Sequence, residues 1–514
     1  MKRQHWILLG AYVALILLLS VYHELWRDEV RALSVAIDAP SWSAMFADLH
    51  HEGHPSLWYV VLRAGYGLTG SNLVLPAAAL MSAVLAAYLI LRFAPFSLLT
   101  RALAVFGAFL GYELSVVARN YGIGVLFMIG ACVLFHERER RPVPLAVMLA
   151  LLANTSVHAA IAAVILLGVW LCDLLDKDRR PGLASLRGLA GVGIVAAGVI
   201  VAYATARPSS DMVWGSTITS LDASKILRAV LLDPGKGLMG YRDASITAAG
   251  EYPWRLIGVD PALASRLIVD AVLLWLLWNL RRNRKAIAAI VVAIVSFEIV
   301  FRTIYTAAPR HEGLLVFLMI AICWITSADD RARIRAAARG LFPLLALQTL
   351  ALPMLVQRVI RYDESSSRAY AGFIESEPRY RDAILVSEPD YFMEPMRYYV
   401  KNRIYMARQG EFANKAYFGG RRATVFSLGQ LQSVAQSLAC RYRTPVLVAM
   451  DTRDYRSGAS GSTEVAYRAR FTWTAEERGR FAAAAKQVAK FSRATSDENY
   501  TVYEIPICLA ETED

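Results

Sequence analysis

Histidine and glutamate side chains are concentrated in HHEGHPSLWYVVLR, the stretch from His50 to Arg63. Gly53 and Pro55 interrupt any helix there, so a turn is expected to hold His54, and Pro55 suits the first position of the helix that follows. Such side chains can bind a metal ion, but their spacing matches no established zinc motif. Hydrogen bonding to a polar substrate is the favoured interpretation, and a divalent metal is the alternative. The candidate residues of this stretch are His51, Glu52 and His54.

Two adjacent carboxylates lie upstream, in WRDEVRAL from Trp26 to Leu33. On a helix, Asp28 and Glu29 point about 100° apart, so they are not expected to form a shared-proton pair. One of them can face a site while the other caps the helix or pairs with a cation. Capping alone also explains a carboxylate in the first turn of a helix, so both interpretations stay open here.

Two short segments between apolar runs place arginine beside hydrogen-bonding neighbours. The segment ARNYG contains Arg119, Asn120 and Tyr121, and the segment APRHEG contains Arg310 and His311. The planar fork of arginine binds phosphate through two hydrogen bonds, which suits an anionic headgroup. Contact with the phosphates of the surrounding bilayer explains the same residues equally well.

The composition indicates a membrane protein. Of the 514 residues, 56% are hydrophobic and 19% are charged, whereas soluble domains carry about 25% charged residues. The net charge is +12, and nearly all of the basic excess lies in the first 361 residues, between apolar runs. This distribution is typical of cytoplasmic loops rather than of a nucleic-acid surface, so no nucleic-acid partner is expected.

Eleven apolar runs approach the length of about 20 residues that crosses a bilayer. They are 6–22, 72–91, 102–118, 121–135, 143–158, 159–175, 187–206, 264–280, 286–305, 311–327 and 339–357. Basic clusters occupy every second junction between them, at 2–3, 92–101, 138–141, 177–187, 281–285 and 331–339. The positive-inside rule therefore predicts a cytoplasmic N-terminus, with all six clusters on the cytoplasmic side.

The same topology places loops 23–71 and 207–263, together with residues 361–514, outside the cytoplasm. His158 then lies at the outer boundary with the other candidate residues. The segment 361–514 is predicted to be an α/β domain, with strands at 382–386, 444–450 and 500–507 and a helix at 476–491. ESSSR, at 364–368, is expected to act as a hinge, and Cys440 and Cys508 have the opportunity to form a disulfide.

The acidic pair after the first span, the GHP-S-LWY segment and the A-R-x-Y turn resemble the GT-C superfamily of integral-membrane glycosyltransferases. The branch most similar contains the protein O-mannosyltransferases and the lipid A aminoarabinose and galacturonic acid transferases. The layout agrees over roughly 1–360, whereas recognisable motifs cover 24–63 and 117–124. Ser56 stands where that family often has a second proline. The resemblance implies a GT-C-like domain over 1–360, followed by an accessory domain of its own kind.

This resemblance implies a sugar donor linked to a polyprenyl phosphate, used on the outer face of the plasma (inner) membrane. The sugar, a hexose or a pentose, would pass to a lipid, glycan or protein acceptor by one inverting displacement. Asp28 takes the catalytic role as general base or orienter of the acceptor hydroxyl. No cofactor is implied with certainty, since some members need a divalent metal and others do not. The expected substrate-binding residues are Glu29, His51, Glu52, His54, Arg119, Asn120, Tyr121, His158, Arg310 and His311.

Two other functions compete with transfer. A transporter or flippase of a lipid-linked sugar would place polar groups near the middle of the membrane and commonly shows internal repeats. Here the candidate residues gather at one boundary, Glu298 is the main charged residue within the predicted spans, and no repeat is visible. A sensor or scaffold that works through its polar tail is the third possibility. These observations favour a glycosyltransferase.

Overall fold

The computed structural model describes residues 3–175, 186–210, 261–303, 307–420, 422–465 and 469–507. Most of the predicted outer loop 207–263 and part of the basic cluster 177–187 lie outside this set. Of the cysteine pair, Cys440 is disulfide-bonded, and Cys508 falls outside the described residues. Within them, Cys132, Cys172 and Cys323 are free.

The first 361 residues are helical wherever the structure describes regular secondary structure. In chain order the helices are α1 (Arg3–Tyr22), α2 (Arg27–Asp38), α3 (Trp42–Asp48), α4 (Leu57–Thr69), α5 (Val74–Phe93), α6 (Leu98–Val105), α7 (Tyr121–Phe135), α8 (Pro142–Ala153), α9 (Val157–Leu174), α10 (Leu186–Ala206), α11 (Pro261–Asn279), α12 (Arg284–Thr303), α13 (Pro309–Ser327) and α14 (Arg331–Arg361). Short 3-10 turns join some of them, as at Leu49–His51.

Seven of these helices are long and apolar enough to cross a membrane, namely α1, α5, α9, α10, α12, α13 and α14. The shorter apolar helices α7, α8 and α11 match three further predicted spans. The predicted fold class, a polytopic helical membrane protein, is therefore confirmed. Helix α13 lies at the centre of the bundle, where every side chain from His311 to Ile325 is buried.

The predicted span 102–118 is not a continuous helix. Helix α6 ends at Val105, a π-helical turn follows at Phe109–Glu113, and the chain then leaves the helical path before α7. The hydroxyl of Tyr12 donates to the carbonyl oxygen of Leu110 at 2.9 Å, which gives the broken segment a side-chain partner inside the bundle. Backbone groups inside a bilayer need such partners once the helical pattern is lost.

The loop between α1 and α5 folds into a compact unit. Helices α2 and α4 pack against each other through a core that includes Leu33 and Trp58. Helix α4 has a buried face of Trp58, Tyr59 and Leu62, and it ends at Gly70, whose φ of 63° suits glycine. This unit carries the acidic pair and the GHP-S-LWY segment.

The C-terminal region is an α/β domain, as predicted. Its main sheet has six strands in the order β3-β2-β1-β5-β9-β8, and a smaller sheet has the order β4-β7-β6. The strands are β1 (Ile384–Glu388), β2 (Ile404–Met406), β3 (Glu411–Phe412), β4 (Val425–Ser427), β5 (Val446–Met450), β6 (Gly461–Val465), β7 (Ala469–Trp473), β8 (Lys486–Phe491) and β9 (Tyr500–Ile505). The helices are α15 (Ser367–Ser376), α16 (Leu428–Tyr442) and α17 (Ala475–Ala484).

Strands β1, β5 and β9 correspond to the three predicted strands, and β5 pairs with β1 in parallel and with β9 antiparallel. The predicted helix 476–491 is wrong in its second half, because α17 ends at Ala484 and the next residues form β8. Pairing of β8 with β9 overrides the helical propensity of its alanine and lysine residues.

The segment 364–368 does not have the environment of a hinge. Ser365, Ser366 and Ser367 are buried, and the Ser367 hydroxyl lies 3.0 Å from that of Tyr500. The guanidinium of Arg368 donates to the carbonyl oxygen of His23 at 2.8 Å. These contacts fix the start of the C-terminal domain to the end of α1.

Candidate functional site

The first turn of α2 separates the two adjacent carboxylates. Glu29 is fully buried and accepts hydrogen bonds from the backbone N–H of Ala118 at 2.5 Å and of Trp26 at 3.3 Å. It also lies 2.9 Å from His23, whose other ring nitrogen contacts the hydroxyl of Tyr112. Glu29 therefore ties α2 to the turn before α7 and to the π-helical turn. These contacts hold the first turn of α2 in place, and substrate binding by Glu29 stays a prediction.

Asp28 points in a different direction and meets three arginines. Its carboxylate accepts a hydrogen bond from Arg310 at 3.0 Å, while Arg27 lies 3.7 Å away. Arg119 donates to the backbone carbonyl of the same residue. Burial alone would raise the pKa of the Asp28 carboxyl, but Arg119 and Arg310 outweigh it and hold that pKa below its ordinary value. Asp28 is thus an ionised carboxylate between cations.

His54 lies at the edge of this group, in the turn expected from the sequence. Its Nε2 is 3.4 Å from the guanidinium of Arg119. Burial, reinforced by the charge of Arg119, lowers the pKa of His54 to about 3. The imidazole is therefore neutral at physiological pH and can donate a hydrogen bond without adding charge.

Aromatic rings form a wall beside the charged group. The His311 ring stacks on the His158 ring at 4.4 Å, and Tyr121 places its hydroxyl 2.9 Å from His311. Phe297 and Phe301 also pack against the His158 ring, at 5.5 and 5.6 Å, and Phe301 lies 6.2 Å from the His311 ring. Helices α7, α9, α12 and α13 therefore contribute rings to one place, although these residues are far apart in sequence.

Two arginine side chains in this group have a buried Nε–H group without a hydrogen-bond acceptor in the described part of the chain. The Nε atoms of Arg119 and Arg310 are buried and contact no acceptor among the described residues. Arg310 also lies over the ring of Trp26, 5.8 Å from its centroid. A buried guanidinium N–H without a partner is costly unless an anion completes it. The arrangement is therefore suited to binding an anion beside a carboxylate.

The C-terminal domain contacts the first two turns of α2. Arg27 donates to Asp497 at 2.9 Å through its side chain and to Glu498 at 2.9 Å through its backbone. Arg31 forms two hydrogen bonds with Glu52, at 2.9 and 2.7 Å, and a third with Glu394 at 2.7 Å. The helix that holds Asp28 is therefore held in turn by the C-terminal domain.

The structure brings together Asp28, His54, Arg119, Tyr121, His158, Arg310 and His311. It places the other predicted site residues elsewhere. Glu52 binds Arg31, His51 lies 2.8 Å from the hydroxyl of Tyr417, and Asn120 donates to the carbonyl oxygen of Thr155 at 2.6 Å. These three join Glu29 in holding the structure around the site.

Several contributing residues were not singled out from the sequence. Trp26 and Arg27 flank Asp28, and their position beside the acidic pair was an available signal. Phe297 and Phe301 look like ordinary apolar residues of a span. Within the described ranges, no group of three or more His, Cys, Asp or Glu side chains is arranged to hold a metal ion.

Neither a family model nor a curated protein sequence matches the chain. Among solved structures it is similar to ArnT from Cupriavidus metallidurans, with 11% identity over 98% of both chains and a TM-score of 0.47 in the apo state. With undecaprenyl phosphate bound, ArnT gives 11% identity, 99% coverage of both chains and a TM-score of 0.45. The arabinofuranosyltransferase AftD from Mycobacteria gives 13% identity, 99% coverage of this chain and 40% of its own, and a TM-score of 0.33.

ArnT and AftD are GT-C glycosyltransferases, the superfamily that the sequence resembles. All three TM-scores lie below 0.5.

Proposed function

We propose that the protein is a membrane glycosyltransferase, which moves a sugar from a polyprenyl-phosphate donor to an acceptor hydroxyl. The observation that carries the proposal is the ionised Asp28 next to the start of the central helix α13. Its carboxylate accepts from Arg310, and its backbone carbonyl accepts from Arg119. Transfer from a lipid phosphate needs cations for the departing phosphate and a carboxylate for the incoming hydroxyl. This group of residues supplies both.

Arg119 and Arg310 are proposed to bind the donor phosphate. Each has a buried Nε–H group without an acceptor in the described part of the chain. Phosphate oxygens would accept hydrogen bonds from these two groups. Negative charge grows on the leaving phosphate as its bond to the sugar breaks, so two fixed guanidinium groups stabilise the transition state. A phosphate leaving group needs no proton of its own.

Asp28 is proposed to act on the acceptor. When the donor phosphate engages Arg310, the carboxylate is released from its 3.0 Å ion pair and can accept a hydrogen bond from the acceptor hydroxyl. The acceptor oxygen then attacks the anomeric carbon, the bond to the phosphate oxygen breaks with its electron pair, and the hydroxyl proton passes to Asp28. A single displacement of this kind inverts the configuration at the anomeric carbon.

His54 and the aromatic wall are proposed to hold the sugar. The neutral imidazole of His54 can donate to a sugar oxygen, and the rings of Tyr121, His158 and His311 offer an apolar face. Sites for small polar molecules commonly combine apolar walls with a few well-placed polar groups.

We further propose that the site and the C-terminal domain face away from the cytoplasm, at the plasma (inner) membrane. The domain lies on the same side as the site through the contacts of Arg27 and Arg31. The disulfide of Cys440 is suited to an oxidising compartment. The basic clusters around Arg138 and Arg282 lie at the opposite ends of the helices.

The test uses membranes that contain the protein, incubated with a panel of hexose and pentose polyprenyl phosphates. Consumption of one donor, with release of polyprenyl phosphate, is expected. Asp28→Asn should lower transfer by about 10²–10⁴-fold, because it removes a general base, while donor binding is retained. Asp38→Asn on the same helix is the matched control, since Asp38 pairs with Arg397 instead.

Near-normal transfer by Asp28→Asn would contradict the catalytic role of Asp28. Movement of an intact donor across the membrane without release of polyprenyl phosphate would contradict the transferase function and support a transporter.

A further inference from the structure

A second polar cavity, of about 580 Å³, lies away from the candidate site. Its walls come from four chain segments that the sequence separates widely. These are Arg138 after α7, Asp173 near the end of α9, residues 281–285 at the start of α12, and residues 325–333 from the end of α13 into α14. Three of the predicted cytoplasmic basic clusters therefore converge on one concave surface.

This cavity and the candidate site lie at opposite ends of the same helices. Helix α13 begins next to His311 in the site and ends at Ser327 beside the cavity. Its 19 residues correspond to a rise of about 28 Å, close to the bilayer hydrocarbon thickness of about 30 Å. The cavity therefore lies at the other membrane boundary, and its ligand is separate from the proposed donor and acceptor.

The lining carries more positive than negative charge. Its cations are Arg138, Arg281, Arg282, Arg284, Lys285 and Arg333, and its carboxylates are Asp173, Asp329 and Asp330. Six cations against three carboxylates leave an excess of three positive charges. Anions with more than one charge are therefore favoured there.

Two of the three carboxylates are already engaged in holding the walls, and the third, Asp329, lies 3.9 Å from Arg138. Asp173 lies 3.0 Å from both Arg138 and Lys285, and Asp330 accepts from the first backbone N–H groups of α14. Arg282 and Arg284, in contrast, form no ion pair with a carboxylate of the described residues. Their guanidinium groups are the cations that a ligand can use.

The turn with these two arginines is held in position before any ligand arrives. Asn283 is buried between them and donates to the carbonyl oxygen and the hydroxyl of Thr326, at 3.1 Å each. Its own side-chain oxygen accepts from the backbone N–H of Ala286 at 3.2 Å. Because Thr326 belongs to α13, the turn is fixed to the central helix and loses little freedom on binding.

The rim beside the cavity faces lipid. On α11, Leu274, Trp275 and Trp278 are 67%, 47% and 64% exposed, and the guanidinium of Arg281 lies 4.7 Å from the centre of the Trp278 ring. Tryptophan side chains on the outer surface of a membrane helix are typical of the level of the lipid headgroups. A ligand with a phosphate in the cavity can therefore lay apolar chains along α11.

We propose that this cavity binds the phosphate headgroup of an anionic phospholipid of the bilayer. Basic pockets between membrane helices on the cytoplasmic side are suited to such headgroups. The phosphate lies between Arg282 and Arg284, and the acyl chains pass Trp278. The site is formed by this chain alone and does not depend on the proposed transfer reaction.

The test measures phospholipid binding to the purified full chain in a neutral detergent, by native mass spectrometry. The probes are short-chain phosphatidylglycerol, phosphatidylcholine with the same acyl chains, and inorganic phosphate. Wild type is expected to bind phosphatidylglycerol in preference to phosphatidylcholine. The double variant Arg282→Gln/Arg284→Gln should bind phosphatidylglycerol about 20- to 30-fold more weakly, because each basic side chain near an anionic headgroup contributes about fivefold.

The matched control is Arg140→Gln/Arg335→Gln. These arginines are exposed, belong to the same two basic clusters as Arg138 and Arg333, and do not line the cavity. The control should bind phosphatidylglycerol as wild type does. A second variant, Arg282→Lys/Arg284→Lys, keeps both charges and should bind phosphatidylglycerol more tightly than Arg282→Gln/Arg284→Gln does.

Equal phosphatidylglycerol binding by wild type and Arg282→Gln/Arg284→Gln would overturn the proposal. So would equal losses in that variant and in the control, which would mean general attraction to basic loops. Displacement of phosphatidylglycerol by inorganic phosphate at the same concentration would show a soluble anion as the occupant and would also overturn it.

Discussion

Asp28 and Glu29 show how much the surroundings of a carboxylate decide its use. Glu29 accepts from backbone N–H groups and is fully buried, so it belongs to the packing of α2. Asp28 meets guanidinium groups, and its side chain is 29% exposed. The same chemistry one position apart therefore supports the fold in one case and the proposed reaction in the other.

The two arginines of the site should not tolerate lysine. Arg119→Lys and Arg310→Lys keep the charge but lose the planar fork that binds two phosphate oxygens. A lost hydrogen bond to a charged group costs about 1.5–3 kcal/mol, so donor binding should weaken by about 10- to 100-fold. Arg302→Lys is the matched control. Arg302 lies in the last turn of α12, shortly before Arg310 along the chain, and its side chain is 40% exposed. Wild-type donor affinity in both site variants would instead assign these arginines to the surrounding lipid.

His54 should make the folded protein sensitive to acid. Its pKa is about 3 in the folded chain and about 6.5 in an unfolded one, so between these values only the unfolded chain takes up the proton. The stability that this site contributes is thus present above pH 6.5 and is lost as the pH falls towards 3. The melting temperature of wild type should fall more steeply over this range than that of His54→Asn. The exposed His136→Asn should follow wild type, and parallel curves for all three proteins would refute the assignment.

At the scale of the elements, the turn that leads into α7 requires the backbone of Gly122 to pass close to that of Leu114. A Cβ at Gly122 would overlap with the backbone oxygen of Leu114, so the turn that carries Arg119 and Tyr121 would have to shift. Gly122→Ala should therefore lower stability by about 1–3 kcal/mol and weaken donor binding. Gly168→Ala in α9, where a Cβ meets nothing within 4 Å, should keep both. Unchanged donor binding in Gly122→Ala would show that the site does not depend on this turn.

At this scale the sequence predicted most helices, because a long apolar run has few alternatives in a membrane. It failed at 102–118, where composition gives no sign that the backbone breaks near Gly111 and that Tyr12 binds the broken segment. It also failed at Lys486–Phe491, since strand pairing with β9 is a tertiary effect. Propensity describes a segment alone, whereas these outcomes depend on partners elsewhere in the chain.

The candidate site was also predictable only in part, because its residues depend on partners elsewhere in the chain. Asp28, His54, Arg119 and Arg310 stood out because charged groups near apolar spans are rare. The direction in which each side chain points was not predictable. Glu52, for example, binds Arg31 rather than joining the site, and Arg31 also binds Glu394, which lies 342 positions from Glu52 along the chain. No local pattern marks a contact over such a separation.

For the whole molecule, the proposed orientation has a direct test. A reporter that is active only in the cytoplasm should stay silent when fused after Asp514, because residues 361–514 are proposed to lie outside. The same reporter fused after Arg140, in a basic cluster between α7 and α8, is the positive control. Activity after Asp514 would overturn the orientation and place the candidate site on the cytoplasmic side.

The contact of Arg27 with Asp497 also sets an order of events during synthesis. The two residues are separated by 470 positions, so at about 5–20 residues per second the ribosome needs roughly 25 to 95 seconds to supply the partner. Helix α2 leaves the ribosome early. Arg31 can already bind Glu52, but Arg27 has to wait for Asp497 until the last part of the chain has been translated. A nascent chain is therefore inserted into the bilayer long before its site is assembled, which delays activity until the whole polypeptide has been made.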